Sequence, residues 1–399
     1  MEQVLYKLPD GWEWHSVKKL SHNIQYGHTA KAESNGNAKF LRITDIQDGK
    51  IDWQGVPTVS LEKKEISKYA LNDDDLIFAR SGATAGKSIL IKNAPKDAVF
   101  ASYLIRIVPN KKDIIPEYLS YFFLTPAYWE VVGQNAAGAA QPNINGTKLS
   151  EFIVPVAPQG EQKRIVEKLD ALLNRIDTAI EHLQESVTLA DALLKSSLSS
   201  MLTKQEHWDK VRLNDVCQIT SKLCDPREEE YLDMFHIGGA NITSFSGELI
   251  GLKTAREEKL ISGKFPFDNS MVLYSKIRPY LMKVARPSIS GICSADIYPL
   301  TPDNQKMNRD FLFYLLLSDL FTQYAIEGSS RAGMPKVNRK HLFNFEFFLP
   351  PIDEQKSICE SLDTLVEKTN EVSKELTGKL AYLAGLKASI LESAFKGQL

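Results

Sequence analysis

Two stretches decide the fold of this 399-residue chain: residues 159–170 read QGEQKRIVEKLD, and residues 352–363 read IDEQKSICESLD. They share the pattern E-Q-K-x-I-x-E-x-L-D, which returns after 193 residues. The match extends upstream at the same offset, where Pro142-Asn143-Ile144-Asn145 aligns with Pro335-Lys336-Val337-Asn338. A repeat at fixed spacing indicates that the chain contains two copies of one structural plan.

A long helix is predicted to follow each stretch. Apolar residues recur at alternating steps of four and three for about five heptads, without proline. About 42 residues at about 1.5 Å each would give a rod of about 60 Å. The alternatives are a core helix within a compact domain and an antiparallel coiled coil of the two copies, which we favour because so long a helix cannot bury its own seam. The predicted helix-pairing residues are Ile165, Leu169, Leu172, Ile176, Leu183, Val187, Leu362, Leu365, Val372, Leu376, Leu380 and Leu383.

The remaining sequence predicts two similar globular segments of mixed α and β structure. The predicted boundaries are residues 1–158 for the first segment, 159–205 for the central helix, 206–352 for the second segment and 353–399 for the C-terminal helix. Together these features predict a mixed α/β fold in which two long antiparallel helices join two similar domains related by a pseudo-two-fold axis. The predicted strands are Phe40–Ile43, Leu76–Arg80, Ser88–Ile91, Leu104–Val108, Phe152–Val156, Phe235–Ile237, Met271–Ser275, Asp296–Leu300 and Phe345–Leu349.

Composition excludes several classes of protein. Hydrophobic residues make up 43% and charged residues 25%, which is typical of a globular protein. No apolar run is long enough to predict a transmembrane helix, and the first ten residues show no secretion signal. The four widely spaced cysteines predict free thiols in a reducing cytoplasm, without a disulfide framework or metal site. The net charge is −2, but residues 271–340 hold ten Lys and Arg against five Asp and Glu, so a local basic face is expected.

Two motifs that could indicate catalysis are better explained otherwise. Residues 81–88 read SGATAGKS after a predicted strand, which is one residue short of a phosphate-binding P-loop and has no counterpart in the second copy. Glu161-x-Lys163 and Glu354-x-Lys356 could belong to a nuclease site, but each begins a helix, where glutamate suits the helix dipole. Methyltransferase and dinucleotide-binding motifs are lacking as well. We therefore expect no catalytic residues and no cofactor in this chain.

Two polar loops occur at matching places in both copies. One follows the central predicted strand, and the other precedes the last strand of each globular segment. Arginine can pair with guanine, asparagine and glutamine with adenine, and lysine mostly contacts phosphate. The predicted DNA-contacting residues are Arg80, Ser81, Lys87, Gln141, Asn143 and Asn145 in the first copy and Lys276, Arg278, Tyr280, Arg331, Lys336, Asn338 and Arg339 in the second.

The chain resembles the specificity subunit of type I restriction–modification enzymes. The resemblance rests on the pattern P-x-x-E-Q-x-x-I that begins both helices, on the opening Leu8-Pro9-Asp10-Gly11-Trp12, and on the ending AFKGQL at residues 394–399. It covers the whole chain, most strongly in the helices.

The resemblance implies a subunit that is not an enzyme by itself and that recognises a DNA site in two halves. Each globular segment would be a target-recognition domain, and the helices would set the spacing between half-sites about 34 Å apart. Two methyltransferase subunits and two motor-nuclease subunits would be its partners, with S-adenosylmethionine, ATP and Mg²⁺ bound on those partners. The competing hypothesis is a coiled-coil scaffold or dimerisation protein that does not bind DNA.

Overall fold

The computed structural model describes residue 3 and residues 5–47, 49–136, 143–329 and 334–399, with backbone only at residues 135 and 136. The chain divides into two compact units. Unit 1 consists of Met1–Gln184 and Gly378–Leu399, and unit 2 consists of Glu185–Thr377. Each unit therefore combines one globular segment with part of both long helices. Among the described residues, no helix combines the length and apolar character that a membrane span requires.

The globular part of unit 1 alternates short strands and short helices. Its strands are β1 (Glu13–Ser16), β2 (Ser21–Tyr26), β3 (Ala38–Leu41), β4 (Ile46–Gln47), β5 (Lys50–Ile51), β6 (Thr58–Val59), β7 (Leu76–Ala79), β8 (Ser88–Leu90), β9 (Ala98–Phe100), β10 (Leu104–Pro109) and β11 (Ile153–Val156). Its helices are α1 (Lys63–Tyr69), α2 (Pro116–Phe122), α3 (Pro126–Ala136) and α4 (Gly146–Glu151), with 3₁₀ turns at Ile43–Asp45 and Gly82–Thr84. The first long helix, α5, runs over Gln159–Met201.

The globular part of unit 2 follows a similar order. Its strands are β12 (Asp209–Arg212), β13 (Cys217–Gln218), β14 (Phe235–Ile237), β15 (Lys253–Thr254), β16 (Lys264–Phe267), β17 (Val272–Ser275), β18 (Val284–Ala285), β19 (Gly291–Ser294), β20 (Ile297–Pro302) and β21 (Glu346–Leu349). Its helices are α6 (Leu213–Val216), α7 (Glu229–Leu232), α8 (Ala255–Glu258), α9 (Arg309–Leu317), α10 (Asp319–Glu327) and α11 (Arg339–Phe343), with a 3₁₀ turn at Pro279–Leu281. The second long helix, α12, runs over Ile352–Phe395.

The sheets of the two units have matching topology. The order β2-β10-β7-β8 in unit 1 corresponds to β13-β20-β17-β18 in unit 2. A second sheet pairs β3 with β9 in parallel, as β14 pairs with β19. The first and last strands of each segment also pair, β1 with β11 and β12 with β21. The predicted internal repeat is thus a repeat of topology as well as of sequence.

The long helices pack against each other within each unit. In unit 1, Ile165 and Leu169 near the start of α5 share a buried cluster with Leu391 and Phe395 near the end of α12. In unit 2, Leu198 near the end of α5 shares a buried cluster with Leu362 near the start of α12. The helices are therefore antiparallel. The predicted fold class, mixed α/β with two similar domains and two long antiparallel helices, is confirmed.

Of the twelve predicted helix-pairing residues, four are buried, seven are half-buried and Val372 is exposed. Val372 was expected to pair, but 46% of it is exposed, whereas Thr369 is buried. Leu173 is 4% exposed, and the predicted Leu172 is only half-buried. An α-helix of 3.6 residues per turn drifts relative to a strict 3.5-residue seam, so a seam counted from sequence leaves the contact face after a few turns.

Candidate nucleic-acid interface

The two loops predicted to contact DNA lie side by side in unit 1. Ser81, in the loop after β7, forms a β-bridge with Asn143, in the loop before α4. The amide of Ile144 donates to the carbonyl of Arg80 at 2.8 Å. We call residues 80–87 the strand-end loop of unit 1 and residues 143–145 its pre-helix loop.

Unit 2 repeats this arrangement with different side chains. Ile277 forms a β-bridge with Lys336, and the amide of Val337 donates to the carbonyl of Lys276 at 2.9 Å. The amide of Arg278 also donates to the carbonyl of Pro335 at 2.9 Å. Residues 276–283 form the strand-end loop of unit 2, and residues 334–338 form its pre-helix loop. Both units therefore present the same pair of loops.

A third loop joins each pair, and it was not predicted from the sequence. It connects β9 to β10 in unit 1 and β19 to β20 in unit 2, and because each pair of strands belongs to two different sheets we call it the inter-sheet loop. The amide of Arg80 donates to the carbonyl of Tyr103 at 3.1 Å, and that of Lys276 donates to the carbonyl of Asp296 at 3.0 Å. Asp296 is the first residue of a strand predicted from the sequence, Asp296–Leu300, and the sequence pattern therefore does not indicate a loop there.

Arg80 is partly committed to the structure of unit 1. Its guanidinium lies 5.2 Å from the centroid of the Tyr26 ring, and its Nε is buried without a hydrogen-bond partner in the described part of the chain. The Tyr26 hydroxyl accepts a hydrogen bond from the amide of Gly146 at 2.9 Å. The arginine and the tyrosine therefore form one stacked group at the base of the paired loops, and Ser81 and Lys87 are exposed beside it.

The glycine-rich sequence of the strand-end loop does not form a phosphate cradle. The amides of Ala85, Gly86 and Lys87 donate to carbonyls of Gly82, Ala79 and Thr84. A P-loop would instead direct such amides at a phosphate. Gly86 has φ of +88°, and a Cβ there would meet Val132 at 3.0 Å, so the loop requires glycine for its packing on α3.

The two asparagines of the pre-helix loops cap helices. The side-chain oxygen of Asn145 accepts from the amide of Lys148 at 2.8 Å at the start of α4. Asn338 accepts from the amide of His341 at 2.8 Å at the start of α11. Each cap uses one lone pair of the amide oxygen and fixes the side chain against its own helix, so pairing with adenine through both amide atoms would compete with the cap.

Lys276 is also less available than the sequence suggested. Only 12% of its side chain is exposed, its ammonium donates to the carbonyl of Ala295, and it lies 3.3 Å from Asp296. Burial and the neighbouring Lys336 lower its pKa against the opposing effect of Asp296. Lys336 is half exposed and also lies 3.3 Å from Asp296. The two lysines thus share one carboxylate.

Arg278 and Tyr280 project from the strand-end loop of unit 2. Arg278 is exposed and has φ of +51°, a left-handed conformation that costs energy for a side chain of this size. Tyr280 is 52% exposed, and the exposed Arg339 lies 5.6 Å from the Phe343 ring centroid. Gln141 and Arg331, which were also predicted to contact DNA, lie outside the described residues.

The repeated E-Q motif fastens each globular part to its helix. In unit 1, the buried Gln162 accepts from the amide of Ile115 at 2.8 Å and donates to the carbonyls of Ala157 at 2.8 Å and Asp113 at 3.3 Å. This side chain bridges the loop before α2 and the end of β11 from the first turn of α5. The motif was predicted only to begin a helix.

Gln355 makes the equivalent hydrogen bonds in unit 2, and we call each of these two glutamines the clamp of its unit. Gln355 accepts from the amide of Asn308 at 2.7 Å and donates to the carbonyls of Pro350 and Lys306, both at 2.8 Å. The preceding glutamate has an equivalent role in both units. The indole of Trp12 donates to Glu161 at 3.1 Å, and that of Trp208 donates to Glu354 at 3.1 Å.

A tyrosine–aspartate hydrogen bond forms a second link at matching places. Tyr121 donates to Asp170 in unit 1, and Tyr314 donates to Asp363 at 2.5 Å in unit 2. In unit 2, Arg286 also pairs with Asp363 and lies 3.3 Å from Asp310. These contacts hold the orientation of each globular part on its helices, and with it the orientation of the loops.

The residues described here form no cluster of three or more His, Cys, Asp or Glu side chains that could hold a metal ion. The four cysteines are free thiols, and burial raises the pKa of Cys217 and Cys359 to about 12. The distinctive chemistry of the loops is therefore hydrogen bonding, stacking and charge.

Comparison with known proteins places the chain in a family. The model of the type I restriction modification DNA specificity domain matches residues 9–189 and again residues 205–381. The chain therefore belongs to the family of type I restriction–modification DNA specificity proteins. The predicted function in DNA recognition, as a specificity subunit, is confirmed.

Curated relatives agree along nearly the whole length. The chain is 27% identical over 369 residues to the type I restriction enzyme EcoDI specificity subunit of Escherichia coli, covering 84% of this chain and 80% of that one. It is 26% identical over 429 aligned positions to the StySPI specificity subunit of Salmonella potsdam, covering 98% and 90%.

Solved structures show the same fold. A chain from a study of complex assembly and conformational transition of the type I R-M system superposes with a TM-score of 0.74 at 20% identity, covering 99% of this chain and 100% of that one. The HsdS subunit from Thermoanaerobacter tengcongensis gives a TM-score of 0.53 at 20% identity, with complete coverage of both chains.

Proposed function

We propose that each unit reads one half of a bipartite DNA site through its strand-end, pre-helix and inter-sheet loops. The observation that carries this proposal is that both units build the same three-loop surface with hydrogen bonds between equivalent backbone atoms. A surface conserved in architecture but different in side chains suits two related recognition tasks. Base reading needs a fixed backbone and variable side chains, because base edges are distinguished by patterns of donors and acceptors.

The side chains at equivalent places indicate that the two half-sites differ in sequence. Arg80 corresponds to Lys276, and Asn143 corresponds to Lys336, by their shared bridge and hydrogen-bond positions. Unit 1 therefore offers an exposed amide where unit 2 offers an ammonium group. An amide can discriminate adenine, whereas an ammonium group mostly contacts phosphate.

The chain acts, in this proposal, as the recognition component of a larger enzyme. Two methyltransferase subunits bind along the helices and carry S-adenosylmethionine, and two motor-nuclease subunits carry ATP and Mg²⁺. The chain itself contributes no catalytic residue and no cofactor site. In this proposal, residues 1–158 and 206–352 are the two target-recognition domains, and residues 159–205 and 353–399 are the helices between them and after them.

The salt dependence of DNA binding tests the assignment of the surface. Lys87→Ala and Lys336→Ala each remove a cation from a paired loop and should weaken binding to cognate and random duplexes alike. The slope of log K against log salt should flatten by about one unit for each lost phosphate contact. Fluorescence anisotropy over a salt series measures both quantities.

Matched controls come from the opposite end of the same sheets. Lys111 follows β10 and Lys306 follows β20, and their side chains are 61% and 58% exposed. Lys111→Ala and Lys306→Ala should leave affinity and salt slope unchanged. Equal effects of control and loop variants would contradict the proposed surface, and binding without any salt dependence would favour the scaffold hypothesis.

A further inference from the structure

An acidic side chain lies at the centre of the surface proposed to bind DNA in unit 2. Asp296 belongs to the inter-sheet loop, and its side chain is 54% exposed. Its carbonyl accepts a hydrogen bond from the amide of Lys276 in the strand-end loop. A bare carboxylate would be repelled by the phosphate backbone. Its presence among loops that otherwise carry cations therefore calls for a specific role.

Two lysines from the two flanking loops hold this carboxylate. Lys276 and Lys336 each place their ammonium group 3.3 Å from the same oxygen, Oδ1. Partial burial alone would raise the pKa of Asp296, but the hydrogen bonds from Lys336 and Lys276 outweigh it, and the pKa is lowered. The carboxylate is thus charged at neutral pH, fixed in position, and surrounded by enough positive charge to approach DNA.

Both lysines make their shortest contact to Oδ1, so Oδ2 is the oxygen that lies farther from the two ammonium groups and is the better placed to accept from a base. In the major groove, cytosine presents its N4 amino group as a donor, and Asp or Glu side chains accept from it. We propose that Asp296 reads a cytosine in the half-site bound by unit 2, by accepting a hydrogen bond from N4. This inference rests on the proposed function of the loops.

Unit 1 has a different group at the same place. Tyr103 occupies the position of Asp296, because its carbonyl accepts the equivalent amide from Arg80. Its side chain is neutral and 39% exposed. Unit 1 therefore has no carboxylate at this position to accept from cytosine. Substitution of Asp296 should change recognition of the half-site bound by unit 2 only.

Selection from a randomised duplex library with the full-length chain tests the proposal. Wild-type protein should select a bipartite consensus with cytosine at one position of the unit 2 half-site. Asp296→Ala should lose about 5- to 150-fold of the preference at that position and at no other. Asp296→Asn keeps the size of the side chain and one oxygen for the lysines, but it replaces Oδ2 by an amide donor that cannot accept from N4. It should therefore lose the preference for cytosine at the same position.

Asp303→Asn is the matched control, because Asp303 lies just beyond the opposite end of β20 and also faces a lysine, Lys306, at 3.6 Å. It should leave the consensus unchanged. If Asp296 only positioned its lysines, Asp296→Ala and Asp296→Asn would weaken binding to all sequences alike and leave the consensus unchanged. That result would overturn the inference. If wild-type protein selected no consensus, the proposed function would fail first; a wild-type consensus unaffected by Asp296→Ala would refute this inference alone.

Discussion

Two glutamine side chains, one in each unit, connect the globular part of that unit to its long helix. Gln162 and Gln355 are buried to within 1% of full burial, and each makes three hydrogen bonds to backbone groups. Buried polar groups that lose their partners cost far more than an average hydrogen bond stabilises. The conserved spacing of the motif in both copies follows from this geometry, because the glutamine must lie on the first helical turn to reach both loops.

Gln162→Ala and Gln355→Ala should each lower the free energy of unfolding by roughly 2–4 kcal/mol, because each leaves buried backbone groups unsatisfied. Urea denaturation measures the change. The controls Lys163→Ala and Lys356→Ala alter the next residue of the motif, which is exposed, and should remain within about 0.5 kcal/mol of wild type. Loss of stability in controls and clamp variants alike would argue against a specific role for glutamine.

Asp363 predicts a contribution to stability that depends on pH. Burial would raise its pKa, but hydrogen bonds from Arg286 and Tyr314 prevail, and the pKa lies below the ordinary value of 3.8. A lowered pKa in the folded state means that the contribution is complete above pH 3.8 and is lost as the pH falls through the lower value.

Asp363→Asn should therefore destabilise the protein at neutral pH and show a smaller further loss than wild type below about pH 4. Thermal unfolding followed at several pH values between neutral and strongly acidic measures both effects. Asp353→Asn changes a carboxylate on the same helix that is 91% exposed, and should follow the wild-type profile. A parallel acid profile for Asp363→Asn and wild type would show that this carboxylate is not the group responsible.

At the scale of elements, the long helices were the most predictable part of the chain. The start of α5 at Gln159 was read directly from the repeat, because an amphipathic period sustained over 40 residues has few alternatives. Short strands were harder to predict from the sequence. The polar β2 and the two-residue β13 were missed, since so few residues cannot show an alternating pattern and their pairing depends on distant partners.

Two residues of the predicted helix seam differ in burial, and their contributions to stability can be compared. Leu362 is fully buried in the unit 2 core, whereas Val372 is 46% exposed although both fit the sequence-derived seam. Leu362→Ala should cost about 2–5 kcal/mol through the cavity it creates, and Val372→Ala should cost less than about 0.5 kcal/mol. Chemical denaturation compares the two. Equal costs would mean that the seam follows the heptad count after all.

Viewed as a whole molecule, the chain carries one recognition plan twice. The sequence located two of the three loops in each copy, because the repeat aligned residues 142–145 with residues 335–338. It did not reveal the inter-sheet loop, because the hydrogen bonds of that loop to the strand-end loop join segments far apart in sequence. The capping role of Asn145 and Asn338 was not predicted either, although each cap is a local contact with the amide three residues further on. Candidate residues could be predicted by type, but the contacts that decide their availability could not.

Two separate three-loop surfaces predict independent recognition of two half-sites. Asn143→Ala changes an exposed amide in unit 1, and Arg278→Ala changes an exposed guanidinium in unit 2. Each should cost about 1–3 kcal/mol on the selected duplex and relax discrimination in its own half-site. Because the changed residues lie in different units, the double variant should lose the sum of both effects within about 0.5 kcal/mol.

Anisotropy titrations with duplexes scrambled in one half-site at a time decide between independent and joint recognition. Scrambling the half-site of unit 2 should abolish the difference between Arg278→Ala and wild type while leaving the effect of Asn143→Ala intact, and the converse should hold for the other half-site. This crossed pattern follows only if each loop surface contacts its own bases. Both variants altering discrimination at both half-sites equally would show that the two units read DNA jointly.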